Sequence, residues 1–465
     1  MNLQSLLFHA GRLTAVSLIT AIAAKSTLFA DQSPPADEVQ SLREEIARIQ
    51  AESERQEAER QREIDDLQMQ IDRIGAELDR PVERPAPVIG GGQSLIDISA
   101  IGTFAAGTSS SREVDELQPG GHDPTRRGFN VQGLELVVAA IVDPYFRAQT
   151  NLVFTDGGHG HGSGVELEEA FLETLALPGN LQVRAGQYLT EFGRHNTQHL
   201  HTWHFVDAPL VSTRMFGPDG LRNPGARVSW LTPTPFYSEL FFGVQNSTGE
   251  TAYSFRNEEG FSDHYFFRGE EAGSASEDVR SARDLLYTTR YAASFDVTDT
   301  QTILGGVSAA FGPNAPPEGG SAGRTEIYGA DFYWHWSPLQ QENGFPFVAW
   351  QSEVMLRRFK MRNPSETFED YGFYSQVVYG FRRGWTTGLR YDWVRGDMNK
   401  AVDGSGERLP FPNRWRLSPN LTWFPSEFSK IRLQYNYDNR DRHSDDHTVW
   451  LQFEFSVGPH GAHQF

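Results

Sequence analysis

From residue 95 onward the chain alternates hydrophobic and polar residues in stretches of about ten, each closed by turn formers. Phe171, Glu173 and Leu175 fall on one side of such a stretch, and Leu172, Thr174 and Ala176 on the other. Near the end, Trp450, Gln452 and Glu454 alternate with Leu451, Phe453 and Phe455. The pattern predicts strands near 95–106, 129–141, 145–155, 166–176, 181–189, 226–232, 236–246, 285–296, 301–311, 326–337, 345–359, 371–381, 384–395, 412–424, 428–439 and 447–458. That is about sixteen strands, within a range of 14–18. No segment after residue 95 carries a convincing amphipathic helix.

The connections alternate too. Even-numbered strands run into tight turns such as Val142-Asp143-Pro144, Leu177-Pro178-Gly179-Asn180, Val297-Thr298-Asp299-Thr300 and Pro425-Ser426-Glu427. Odd-numbered strands lead into long polar loops, at 107–128, 190–225, 247–284 and 396–412. Short turns at one end and long loops at the other predict an all-β transmembrane barrel, closed so that no strand edge meets lipid. Such a barrel is expected to turn its apolar residues to lipid and to enclose a wet lumen with no hydrophobic core. Tyr145, Phe146, Trp334, Trp336, Trp423 and Phe424 sit at strand ends, where rings with a polar edge favour the headgroup level.

Ahead of the barrel the periodicity changes. Residues 1–30 hold a weakly basic start (His9, Arg12), an apolar run from Leu13 to Ala24 and a small-residue region to Ala30, the pattern of a signal peptide. In 31–80, Val39, Leu42, Ile46 and Ile49 follow a 3-4-3 spacing, which Ile64, Leu67, Ile71, Ile74 and Leu78 resume. This predicts an α-helical coiled-coil stalk with a stutter near Arg60, and Ile at both seam positions leans toward three strands. Residues 81–94, beginning Pro-Val-Glu-Arg-Pro, form a Pro/Gly linker. The domain order is therefore signal peptide 1–30, periplasmic stalk 31–80, linker 81–94 and barrel 95–465.

Composition narrows the function. The 465 residues carry a net charge of −20 and no Cys, so disulfides, thiolate metal sites and a cysteine nucleophile are excluded. Residues 31–94 hold eight Arg against sixteen acids, and the barrel segment is acidic as well, which argues against nucleic acid as a partner. Lysine occurs only at 25, 360, 400 and 430. No nucleophile elbow, P-loop, metalloprotease or dinucleotide fingerprint is present, and an enzyme is not expected. Glu168 and Glu169, adjacent on a strand, are expected to face opposite sides and so not to work as a pair.

The signal peptide, the ten-residue antiparallel strands and a terminal Phe465 together resemble outer-membrane proteins of Gram-negative-type bacteria. The resemblance implies that outer-membrane lipid surrounds the barrel and that the barrel-insertion machinery reads Phe465. Glu168-Glu169-Ala170-Phe171, Leu181-Gln182-Val183-Arg184-Ala185-Gly186-Gln187-Tyr188 and Glu191-Phe192-Gly193-Arg194 look like the strand–turn–strand core of the phosphate-selective porin O and P group. The N-terminal coiled coil is similar to that of stalked trimeric porins. These resemblances imply a homotrimer passing small polar solutes or ions, with the third outer loop, 190–225, folded into the lumen as a constriction. Near-absence of lysine speaks against a phosphate filter.

Within loop 190–225, Arg194, His195, Asp207, Arg214, Asp219 and Arg222 are the constriction candidates. The spacing of His195, His199, His201 and His204, with His159 and His161 in the preceding outer loop, also suits zinc or another divalent metal, although no cofactor is required. Ordinary pore lining and a proton-sensitive gate are the other readings of these histidines. Arg147, Arg184, Arg357, Arg390, Arg416 and Arg432 lie in strands and are expected either to pair with acids across the wall or to set up a transverse field. The sequence therefore predicts an outer-membrane porin. The alternatives are a metal-binding outer-membrane protein or an adhesin anchored by its barrel.

Overall fold

The period-two stretches become sixteen antiparallel strands that close into one barrel, each strand pairing with its chain neighbours and β1 with β16. A computed structural model describes residues 96–156, 164–249, 251–256, 279–314, 323–360, 362, 367–397, 412–441 and 443–458. It also describes seven helical positions, Gln40, Glu44, Ala47, Arg48, Ala51, Arg55 and Gln61. The strands are β1 (Ile96–Ser109), β2 (Gly128–Ile141), β3 (Phe146–Thr155), β4 (Gly164–Thr174), β5 (Leu181–Leu189), β6 (Arg222–Leu231), β7 (Tyr237–Asn246) and β8 (Leu285–Thr298). They continue as β9 (Gln301–Pro313), β10 (Arg324–Trp336), β11 (Phe347–Lys360), β12 (Thr367–Arg382), β13 (Trp385–Gly396), β14 (Arg414–Ser426), β15 (Ser429–Arg440) and β16 (Asp446–Val457). Two short helices lie in the loops, α1 (Val114–Leu117) and α2 (Leu210–Phe216).

The barrel is inside-out relative to a soluble protein. On β16, Leu451 and Phe453 are 50% and 45% exposed, whereas Trp450 and Gln452, which alternate with them, are buried. The same outward apolar row recurs at Leu417 and Leu421 of β14 and at Leu389 of β13. Lipid is the solvent that this exterior suits. Aromatic rings mark both rims. Trp385 and Trp423 stack 5.8 Å apart near the short turns, and Tyr391, Trp415 and Tyr437 form a ladder near the long loops, at 6.0 and 5.1 Å.

The lumen departs from the expectation of a wet interior without a core. The loop after β5 folds back into the barrel, and every residue of α2 is buried. Leu210, Val211, Met215 and Phe216 pack with Phe192, Phe255, Leu286, Ile327, Met355 and Val394 in an apolar cluster inside the barrel. A packed half-lumen is possible because α2 brings its own apolar side chains, so the inward wall positions opposite it can be apolar. Gly217 (φ 80°) ends α2, and a Cβ there would lie 2.6 Å from the Tyr253 ring.

The adjacent glutamates also behave otherwise than strict alternation predicts. Between β3 and β4 the register slips, Asn151 pairing with Glu169 but Leu152 with Leu167. Glu168 is thus the extra residue of a β-bulge, which turns its side chain to the same side as that of Glu169. Both are buried in the lumen. A further boundary differs: β6 begins at Arg222, so Arg222 is a wall residue and the inserted loop spans 190–221. Residues 1–30, the linker 81–94, His159, His161 and Phe465 lie outside the described residues.

Candidate functional site in the lumen

Loop 190–221 is fastened to the wall by charge. Asp207 is fully buried and accepts from Arg390 at 2.5 Å, Arg416 at 2.9 Å, Gln434 at 3.0 Å and Asn436 at 2.6 Å, on β13, β14 and β15. Burial disfavours its charge, but the two guanidinium groups outweigh that and hold the carboxyl below the usual range. Backbone amides of the loop are satisfied by the wall and a neighbouring loop: Val206 N donates to Gln434 at 2.8 Å, Ala208 N to Asp123 at 2.8 Å and Leu210 N to Asp392 at 3.0 Å. Arg214 of α2 meets Asp370 at 2.8 Å, which Arg357 also faces at 2.5 Å.

The wall arginines are paired across strands. Glu173 gathers Arg147 at 2.6 Å, Arg184 at 2.7 Å and Arg227 at 3.1 Å. Arg290 faces Asp331, Arg414 and Arg416 face Asp438, and Arg432 donates to Gln452 at 2.7 Å. The carboxylate pairs satisfy charges that the lumen would otherwise strand away from bulk water, and Arg432 is held by neutral acceptors instead.

Beside the inserted loop a cavity of about 500 Å³ lies at the short-turn end, lined among others by Glu135, Arg184, Arg194, Glu191, His199 and His201. It shares Glu135 and His201 with a second space of about 10 Å³, room for roughly one water. That space shares His122 and Glu168 with a third, of about 40 Å³, which runs on to Trp203 and Asp219.

Where these cavities meet, three histidines and three glutamates converge. His199 Nδ1 lies 2.8 Å from Glu168 and 3.3 Å from Glu135, and its Nε2 lies 3.1 Å from Glu169. His201 Nδ1 is 2.8 Å from Glu135, and the two imidazoles stack 5.8 Å apart. His122 Nε2 stands 3.8 Å from Glu168. Burial opposes a charged imidazole at His199, yet the carboxylates of Glu168 and Glu135 win and raise it well above the ordinary histidine value.

Of the residues singled out in the sequence, the fold brings His199 and His201 together. His195 turns away, packing 4.9 Å from Trp203, and burial together with Arg390 pushes it down to about 3, so it stays neutral. His204 is exposed and contributes its carbonyl to Asn420 at 2.8 Å. Arg194 lines the large cavity and sits 4.0 Å over the Tyr333 ring. Asp207 and Arg214 anchor the loop, Arg222 pairs with Glu166, and Asp219 lines the 40 Å³ space. His122, Glu135, Glu168 and Glu169 were not among the candidates. The Glu-Glu doublet in β4 was the available signal, because two acids side by side on a lipid-spanning strand require a bulge or a charge facing lipid.

No family model matches the chain. An uncharacterized protein of Aquifex aeolicus is 32% identical over 407 residues, which cover 80% of both chains. The chain belongs to the family of this Aquifex protein. Among solved structures, the outer membrane channel DcaP of Acinetobacter baumannii aligns over 80% of this chain and 99% of its own, at 12% identity and a TM-score of 0.51. The anion-selective porin from Comamonas acidovorans aligns over 78% and 100%, at 12% identity and a TM-score of 0.49. At such identity the likeness to DcaP establishes the fold: this member of the Aquifex family is a porin-type sixteen-strand barrel.

Proposed function

We propose that the protein is an outer-membrane channel through which small hydrophilic solutes or ions diffuse passively, with loop 190–221 setting the constriction. The observation that carries this is the inside-out barrel: an apolar exterior surrounds a lumen whose wall is rich in charged side chains, and the inserted loop leaves a cavity of about 500 Å³ beside it. Filtering then rests on aperture and on Arg194, Glu191, Asp219 and the histidine–glutamate cluster rather than on a rank of unpaired cations. The reaction class is transport without catalysis.

The assembly belongs to the same reading. A signal peptide at 1–30 directs export, and the heptads of 31–80 form a periplasmic three-stranded stalk; the helical state of Gln40 to Gln61 at the described positions supports it. Linker 81–94 joins it to the barrel, and three protomers share one stalk, as in the stalked trimeric porins that the N-terminal heptads resemble. Liposomes loaded with the refolded full chain test the channel: they should swell in small sugars or salts and not in large oligosaccharides. Inserted, heat-modifiable protein that never sensitises liposomes to any solute would overturn it and favour a barrel that serves as an anchor.

A further inference from the structure

We propose that the lumen carries a binding site for a divalent transition-metal ion, of the zinc or cobalt kind, between Glu135, Glu168 and His199. The site stands whether or not the barrel conducts, because it rests on the side chains alone. Glu135 comes from β2, Glu168 from the bulge of β4, and His199 from the inserted loop. Their ligand atoms all lie within 4.8 Å of one another. A tetrahedral ion about 2.0–2.1 Å from each ligand separates those ligands by about 3.3 Å. His199 Nδ1 is 3.3 Å from Glu135 Oε1, the spacing that such an ion imposes, and 2.8 Å from Glu168 Oε2, a hydrogen-bond distance that opens by about 0.5 Å when an ion replaces the shared proton.

The surroundings are those that orient metal ligands. His199 Nε2 faces Glu169 Oε2 at 3.1 Å and donates its proton there, so an ion that displaces the Nδ1 proton, shared with Glu168 in the metal-free protein, meets a lone pair directed at Glu135 and Glu168. Glu169 is itself held, accepting from Leu189 N at 2.9 Å. His122 repeats the device: Nδ1 lies 3.2 Å from the Gln132 carbonyl, which leaves Nε2 turned to the second oxygen of Glu168, at 3.8 Å. His201 faces Glu135 Oε2 at 2.8 Å, while Asn151 donates to Glu135 Oε1, also at 2.8 Å. Two imidazoles with their tautomers set by neighbours, converging on one carboxylate, amount to more than an acidic cluster.

Charge marks the place as well, because it gathers three carboxylates; the other buried acids outside the described arginine ion pairs are Asp123, held by the Gly120 and Ala208 amides, and Glu353, held by the His195 amide and the Tyr374 hydroxyl. Elsewhere in the lumen the buried carboxylates of Glu173, Asp207, Asp331, Asp370, Asp392 and Asp438 each face at least one arginine. Among the described ion pairs, Glu135, Glu168 and Glu169 face histidine alone. A dication supplies the positive charge that arginine supplies in the other clusters. The mixed nitrogen and oxygen donors select a first-row transition ion over calcium or magnesium, whose preferred ligands are all oxygen. Glu135, His199 and His201 line the 500 Å³ cavity, which gives an ion its way in.

The test uses the refolded full chain, freed of metal with a chelator and titrated with Co²⁺ while its visible absorption is followed, then with Zn²⁺ in competition. One equivalent of Co²⁺ per chain should give d–d bands that Zn²⁺ abolishes. Glu168→Gln and His199→Gln should lose those bands, and Glu169→Gln should weaken binding by about 10–100-fold, the usual effect of removing the partner of a metal-bound histidine. His204→Ala, outside the cluster, should bind as wild type does. Folding of each variant is checked by heat-modifiable migration; should Glu168→Gln not fold, the graded effect of Glu169→Gln decides. Folded wild-type protein that yields no bands at submillimolar Co²⁺ would overturn the proposal. So would folded Glu169→Gln and His199→Gln that bind as tightly as wild type.

Discussion

Asp207→Asn is the substitution that asks most of the inserted loop. The asparagine keeps the shape of the side chain and one acceptor oxygen, but removes the charge that Arg390 and Arg416 face at 2.5 and 2.9 Å. Breaking a buried ion pair from one side costs about 3–5 kcal/mol. Because the amide still accepts one hydrogen bond, the low end applies, about 3 kcal/mol, which is roughly a hundredfold in the docked-to-undocked ratio. Helix α2 stays packed, since Leu210, Val211, Met215 and Phe216 are each worth about 1.5–3 kcal/mol of burial. The loosening is therefore confined to the stretch around 203–209. Hydrogen exchange reads it directly: the amides of Val206 and Ala208, which donate to Gln434 and Asp123, should exchange roughly a hundredfold faster. The amide of Thr213, inside α2, should change little. Unaltered exchange at Val206 and Ala208 in the folded variant would refute the idea that Asp207 holds the loop. The pH dependence follows with a definite sign. The docked carboxyl titrates below its undocked value, so docking is fully supported above about pH 4 and is lost only as acid protonates Asp207 below that.

Two further outcomes separate lipid-facing from lumenal packing. Leu451→Arg, on the outward row of β16, should destabilise the barrel in vesicles by about 2–4 kcal/mol if it lies at the bilayer midplane, measured as the shift in urea unfolding. Trp450→Ala, one residue away but buried in the lumen against Ala105, Val114 and Val206, should cost about 3–5 kcal/mol by leaving a cavity, with the same readout in detergent as in lipid.

The barrel was legible in the sequence because lipid and water impose opposite polarity on alternate residues, and sixteen strands with alternating connections follow from that rule. It erred where inward residues depart from the rule. Arg222, Asn223 and Pro224 read as loop since nothing apolar marks them, yet they pair with β5 as the start of β6. Glu168 and Glu169 read as opposed because strict alternation was carried through a bulge whose one trace in the sequence is the acid doublet itself. The packed half-lumen was hidden for a related reason: Leu210-Val211-Ser212-Thr213-Arg214-Met215-Phe216 is an apolar run inside a loop, and its wall partners are scattered from Phe192 to Val394. Spacing grouped four histidines of one loop, but the two turns at His195–Thr197 and Leu200–Thr202 send His195 toward Trp203 and His199 toward Glu168. The ligands that complete the cluster come from β2, β4 and the loop holding His122, and no local motif links them.

The proposed conduction through a lumen narrowed by loop 190–221 is open to direct measurement. Single-channel recording of the refolded full chain in a planar bilayer tests it most directly. The wild type should give small, discrete currents in groups of three, and Asp207→Asn larger or noisier openings. Protein that inserts as folded, heat-modifiable barrels and passes no current, in the wild type and in Asp207→Asn alike, would contradict it.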